Sequence, residues 1–228
     1  MNGNSLSVSM ETYNELKKRI MELYYRPGEI LLIQQLINDL GVSRTPVKEA
    51  LIRLTADNFL ENNNDKRFRV KEVSAQTITE VFETRMALEG MAVEKLAATI
   101  NEGQLSQLKE IIEDTQNACK QGDTLEVLRL DKEFHRHMVE IHGNETLARV
   151  LVQLNERIQQ IRLMCQTSRH IEEVAVEHRR IYDALCQRDR ALAREKVNEH
   201  LRLVSEDMLE MLGRKRGPVY LGNIVSGR

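Results

Sequence analysis

The sequence predicts a mostly α-helical protein in two parts: an N-terminal winged helix-turn-helix, α with a small β-hairpin, followed by an antiparallel six-helix bundle. Three observations predict it. Residues Leu36 to Leu54, LINDLGVSRTPVKEALIRL, read as two short helices joined by a tight turn. The stretch after them reads strand, polar turn, strand. From Ala75 to Leu212 apolar residues recur at helical spacing and no Pro interrupts them.

Glu11 to Tyr25 opens the first part as an amphipathic helix, with Tyr13, Leu16, Ile20 and Leu23 on one stripe and Arg26-Pro27-Gly28 as its stop. Leu36, Ile37 and Leu40 form the apolar stripe of the next helix, and Gly41 supplies the backbone freedom that the tight turn needs. Val42 plugs the turn, Ser43 is placed to cap the following helix, and Pro46 falls in its first turn, where a missing N–H costs little. Val47, Ala50, Leu51 and Leu54 give that helix a buried back. Thr45, Lys48, Glu49 and Ile52 form its front, bordered by Arg44 and Arg53. Cations and small polar groups near a helix N-terminus, on a packed back, are what a recognition helix needs to reach guanine edges and phosphates. The bland alternative is a helical hairpin with a solvated face. Phe59-Leu60, then Asn62 to Asp65, then Phe68-Arg69-Val70 make the hairpin, with Lys66-Arg67 at its cationic tip, able to lie along a groove or backbone.

The bundle divides at about 75–99, 103–120, 124–142, 144–168, 170–187 and 189–212, with Gly103, Gly122 and Gly143 at junctions. The expected domains are therefore 1–74, which includes a short linker, and 75–212. A flexible tail, 213–228, carries Arg214-Lys215-Arg216. The 228 residues suffice for two cores, and with aromatics at only 4% those cores must be aliphatic. A net charge of −2 confines any DNA-binding surface to a local patch. Three cysteines without a close pair, no signal peptide and no apolar run of membrane length point to a reducing cytoplasm and away from a membrane. Cys119, Cys165 and Cys186 read as buried small apolar residues or as inert thiols.

Asp131 and His135 stand four apart and so share one helix face. His178 and His200 lie on two later helices that pair through the turn at Arg188-Asp189. One carboxylate and three imidazoles could converge inside the bundle, a donor set suited to a divalent ion, Zn first, with Ni, Mn or Fe(II) as options. The competing reading is a surface Asp–His ion pair and structural histidines.

These patterns resemble a known family. RPG, then DLGVSRTPVKEALIRL, then a hairpin ending FRV, over about Glu11 to Val73, is similar to the N-terminal domain of GntR-family bacterial transcription regulators. Two departures stand out: Lys48 replaces the usual Arg, keeping charge but losing the bidentate fork, and Arg67 stands where the wing tip usually has Gly. Residues 77 to 212 carry VFETR continuing into Leu88-Glu89, then DKEFH from Asp131, Gly143-Asn144, Glu177-His178, Gln187-Arg188-Asp189 and His200-Leu201. They resemble the all-helical (FCD) effector domain of the FadR-type branch.

The resemblance implies a homodimer on a double-stranded DNA operator and a metal held by Asp131, His135, His178 and His200. His137, His142 and His170 fall outside the ligand pattern and read as exposed. It also implies a small organic acid effector on that metal, with Arg85 as carboxylate clamp, unless Arg85 pairs within its helix with Glu89. Arg44 and Lys48 are the expected base readers; Thr45, Arg53, Lys66 and Arg67 are expected on phosphate or in the minor groove. Asn144 reads as a helix cap, and Arg157 and Arg162 as further cations that could face inward. The expected function is a ligand-responsive repressor, with a direct metal-ion sensor as the alternative. No nucleophile or general-base motif accompanies the ligands, so the chain is not expected to be an enzyme.

Overall fold

The computed structural model describes residues 3–64, 67–165 and 171–214, and divides into two units, 1–74 and 75–228. Of the expected tail, 213–228, Gly213 and Arg214 continue the last helix; residues from 215 onward, the wing-tip Lys66 and His170 lie outside the described residues.

In the first unit α1 (Gly3–Met21) is followed by β1 (Ile30–Leu31), α2 (Ile33–Leu40), α3 (Arg44–Ala56), β2 (Leu60–Asn64) and β3 (Arg67–Val70). α1 begins earlier than its apolar stripe suggests, because its first turns find partners on α3: the Ser9 hydroxyl donates to Glu49, and Arg53 donates to the Met10 sulfur at 3.2 Å. Gly41 caps α2 in the left-handed conformation, φ 65°, and its N–H donates to the Ile37 carbonyl. Ser43 occupies the N-cap of α3, but its side chain makes no capping hydrogen bond. Val42 packs against the core, as a turn plug should.

The expected hairpin is a three-stranded antiparallel sheet in the order β1-β3-β2. The third strand is only two residues long, too short to show an alternating pattern, and it forms because Gly28 at φ 80° turns the chain back to bond Val70. β3 alternates cleanly: Phe68 and Val70 are buried, while Arg67 and Arg69 are exposed. A register shift between Asn62 and Asn64 marks a bulge near the wing tip. Leu16, Ile20, Leu36, Val47, Leu51, Leu54, Leu60 and Phe68 make the core.

The second unit consists of α4 (Ala75–Thr99), α5 (Glu102–Gln121), α6 (Thr124–His142), α7 (Glu145–Cys165), α8 (Ile171–Cys186) and α9 (Arg190–Arg214). These bounds follow from local chemistry. Asn101 and Gln104 close a reciprocal capping box, Asp123 accepts from the Glu126 N–H, and Asn144 accepts from the Leu147 N–H. α4 packs along α9, and Gly90 lets them close up: a Cβ there would sit 3.0 Å from Asn198 Oδ1. Among the described residues no helix is long and apolar enough to cross a membrane.

Neither described cysteine is the buried apolar residue that one reading expected. Cys119 is half-buried and Cys186 is exposed, while the Cys165 side chain lies outside the description.

Candidate functional site

Three helices of the bundle deliver four polar groups to one point. α6 contributes Asp131 and His135 one turn apart, α8 contributes His178, and α9 contributes His200. One donor atom from each of these four lies within 4.8 Å of every other, and none of the residues is more than 3% exposed. The surface ion-pair reading of Asp131 and His135 is thereby corrected, since both face the core with Phe134 and Met138. His137 and His142 stay outside the cluster and are half-buried rather than exposed; His137 bonds Gln107 at 3.2 Å.

The orientation of the rings is set from behind. His135 Nδ1 donates to Glu89 Oε2 at 2.6 Å, and His200 Nδ1 donates to Glu177 Oε2 at 2.7 Å. An ionised carboxylate can only accept, so each Nδ1 carries its proton and each Nε2 turns a lone pair inward. Those two Nε2 atoms face one another at 2.9 Å. Facing acceptors leave both lone pairs unsatisfied, and a cation between them would satisfy both.

Asp131 supplies the complement. Its Oδ2 is held by Arg162 of α7 at 2.7 Å, while its Oδ1 is buried with no hydrogen-bond partner. That oxygen lies 3.4 Å from His178 Nε2, 3.7 Å from His200 Nε2 and 3.8 Å from His135 Nε2. Both nitrogens of His178 are likewise buried without a hydrogen bond, and its ring is stacked on Phe134 at 4.1 Å. Buried polar atoms in that state carry an uncompensated desolvation cost of about 1–3 kcal/mol each. The residues therefore fit a divalent ion: imidazole nitrogens and carboxylate oxygens are donor types that Zn would take.

The electrostatics agree. Burial pushes His178 down to about 4 against the opposing pull of Asp131, and pushes His200 well below its ordinary value with the help of His178 and His135. Both rings are thus neutral, the form that ligates. Burial alone would raise the Asp131 carboxyl, but Arg162, His178 and His135 outweigh it and hold it well below the carboxylate range. Glu89 behaves alike: burial opposes ionisation, and Arg85 and His135 overcome it, holding the group at about 2.

Arg85 itself is buried, and its Nε donates to Glu89. The intrahelical pair is therefore present, and this guanidinium is committed at Nε to the carboxylate that orients His135. Arg157 is also buried, while Arg162 reaches the cluster and keeps slight exposure. The sequence pairs Glu89 with Arg85 but carries no sign that Glu89 and Glu177 support histidines. They serve histidines 46 and 23 residues away, and no local spacing announces that.

In the first unit, Arg44, Thr45, Lys48 and Arg53 are all exposed on α3, as is Arg67 on β3. The Arg53 guanidinium lies over the Tyr13 ring at 4.4 Å, so it is steered toward α1.

Comparison with known proteins follows this division. The family described as "Bacterial regulatory proteins, gntR family" matches residues 9–70, and the FCD domain family matches residues 80–203. The HTH-type transcriptional regulator YdhC of Bacillus subtilis (strain 168) is 30% identical over 205 residues, covering 89% of this chain and 92% of that protein. The Nta operon transcriptional regulator of Aminobacter aminovorans is 30% identical over 207 residues, covering 90% and 96%. Among solved structures, E. coli McbR/YncC superposes with a TM-score of 0.71 at 24% identity, over 90% of this chain and 98% of that one, which is a likeness of fold. The families and relatives are transcription regulators and not enzymes. The chain belongs to the GntR family of DNA-binding transcription regulators, with an FCD domain behind its helix-turn-helix.

Proposed function

We propose that this regulator is a repressor-type switch whose operator affinity is set by a small organic acid bound at a divalent metal site in the bundle. The observation that carries the reading is the buried cluster of Asp131, His135, His178 and His200, with its facing lone pairs and orphaned Asp131 Oδ1. Those four residues would hold the ion, Zn before Ni, Mn or Fe(II), and a bound ion would supply a Lewis-acidic anchor for a carboxylate. Arg162 stands beside Asp131 as a cation for the same acid, and Arg85 backs the site through Glu89.

On the DNA side, a cytoplasmic homodimer would set two copies of α3 in successive major grooves of a near-palindromic operator. Arg44 and Lys48 read base edges from the N-terminal half of the helix. Thr45, Arg53, Lys66 and Arg67 contact phosphate or the minor groove; Arg53, laid across Tyr13, suits backbone contact better than base reading. The acid shifts DNA affinity only by preferring one arrangement of the protein over another.

A gel-shift titration of the metal-loaded protein against sugar acids, hydroxy acids and dicarboxylates tests this reading, with Arg44→Ala beside it. One acid class should release the operator, and Arg44→Ala should weaken binding by about 10-fold or more. Unchanged binding by Arg44→Ala would overturn the recognition-helix assignment. A second reading, direct sensing of the ion, draws on the near-complete burial of all four ligand residues. Operator binding that responds to metal with no organic acid present would select it.

A further inference from the structure

We propose that Glu89 and Glu177 are the positioning residues of this site: each fixes the Nδ1–H tautomer of one imidazole, so that His135 and His200 hold their Nε2 lone pairs on a single point before any ion arrives. The inference rests on the metal reading above and extends it to two carboxylates outside the ligand set.

The geometry is specific. Glu89 on α4 accepts from His135 on α6, and Glu177 on α8 accepts from His200 on α9, at 2.6 and 2.7 Å. Each bond crosses between helices, so each carboxylate locks a ring in rotation as well as in tautomer. Glu89 is in turn fixed by Arg85, four residues before it on α4, in a pair that is 2% and 1% exposed. The second ring, His200, gains its acceptor from the residue that immediately precedes His178, so one turn of α8 supplies both a ligand and a support. His178 differs from its two companions. Its Nδ1 has no hydrogen-bond partner, and the Phe134 face at 4.1 Å is what orients its ring. Two ligands are therefore aimed by charge and one by stacking.

Without an acceptor at Nδ1, a neutral imidazole is free to carry its proton on Nε2, the atom that must ligate. Removing either carboxylate thus penalises ion binding by the cost of the tautomer change and of the lost orientation. Outer-shell partners of this kind typically account for 10–100-fold in affinity.

Glu177→Ala is the decisive variant, because Glu89→Ala would also strand the buried Arg85. Two readouts are needed. Competition between the protein and a chromogenic chelator for Co(II) should show binding about 10–100-fold weaker in Glu177→Ala. Glu177→Gln, which keeps a carbonyl oxygen for the Nδ1–H, should recover part of the loss. Histidine 15N spectra of the metal-free protein should show His200 with its proton on Nδ1 in the wild type and shifted toward Nε2 in Glu177→Ala. Unchanged Co(II) affinity, or a His200 tautomer indifferent to the substitution, would overturn the inference. If the wild type takes up no Co(II), the metal reading fails by itself, and the tautomer spectra still decide the role of Glu177.

Discussion

The two units bury different chemistry. Among the described residues, the winged helix-turn-helix encloses Leu16, Ile20, Leu36, Leu54, Phe68 and their neighbours, and its one buried polar residue is Thr12. The bundle buries Arg85, Glu89, Asp131, His135, Arg157, Glu177, His178 and His200 among its aliphatic side chains. A core of the first kind exists to be stable and to present its cations outward on α3 and β3. A core of the second kind gives up stability for a site, because each buried charge must be matched by another or by an ion. Under the function proposed above, recognition falls to the surface of one unit and sensing to the interior of the other.

The largest effect should come from breaking a charge pair in the bundle. Glu89→Leu leaves Arg85 buried opposite nothing and should cost about 3–5 kcal/mol in chemical unfolding. Leu54→Ala in the winged unit should cost about 2–5 kcal/mol by cavity formation, yet leave metal affinity unchanged. If Leu54→Ala altered metal binding as much as Glu89→Leu, the division between the two cores would be wrong.

Next comes pH. The His178 value falls from 6.5 to about 4 on folding. Between those limits the unfolded chain binds a proton that the native ring refuses, so stability decreases as pH drops through the window. The loss should approach about 3 kcal/mol at its acid end, measured on metal-free protein. Asp131 adds to it at lower pH, since a carboxyl held below its ordinary value stabilises above that value and loses the contribution as it is protonated. His178→Leu should flatten the slope between pH 6.5 and 4; an unaltered slope would place the proton elsewhere.

Much of this was readable in the sequence where the signal is local. α6 runs from Thr124 to His142 as expected, because Asp123 caps its start and Gly143 ends it in the left-handed conformation. Asp131 and His135 were visible as a pair because four residues make one helical turn. Signals that depend on tertiary partners were not readable. β1 exists only by pairing with β3, the first turns of α1 are held by Glu49 and Arg53, and Ser43 sits at a cap without bonding as one. Glu89 and Glu177 could be seen as residues, but not as supports for rings on other helices. Arg85 was legible both as a clamp and as the partner of Glu89, and the fold supplies that partner within one turn of the same helix.

Elemental analysis distinguishes a metal site in the bundle interior from a structural polar core. Wild type and His135→Ala would be purified without chelators, incubated with Zn(II), desalted and assayed for ion per chain. Wild type should retain about one ion per chain and His135→Ala should lose it, with the helical content of both preserved. Wild-type protein that retains no ion, or equal retention by His135→Ala, would contradict the metal reading.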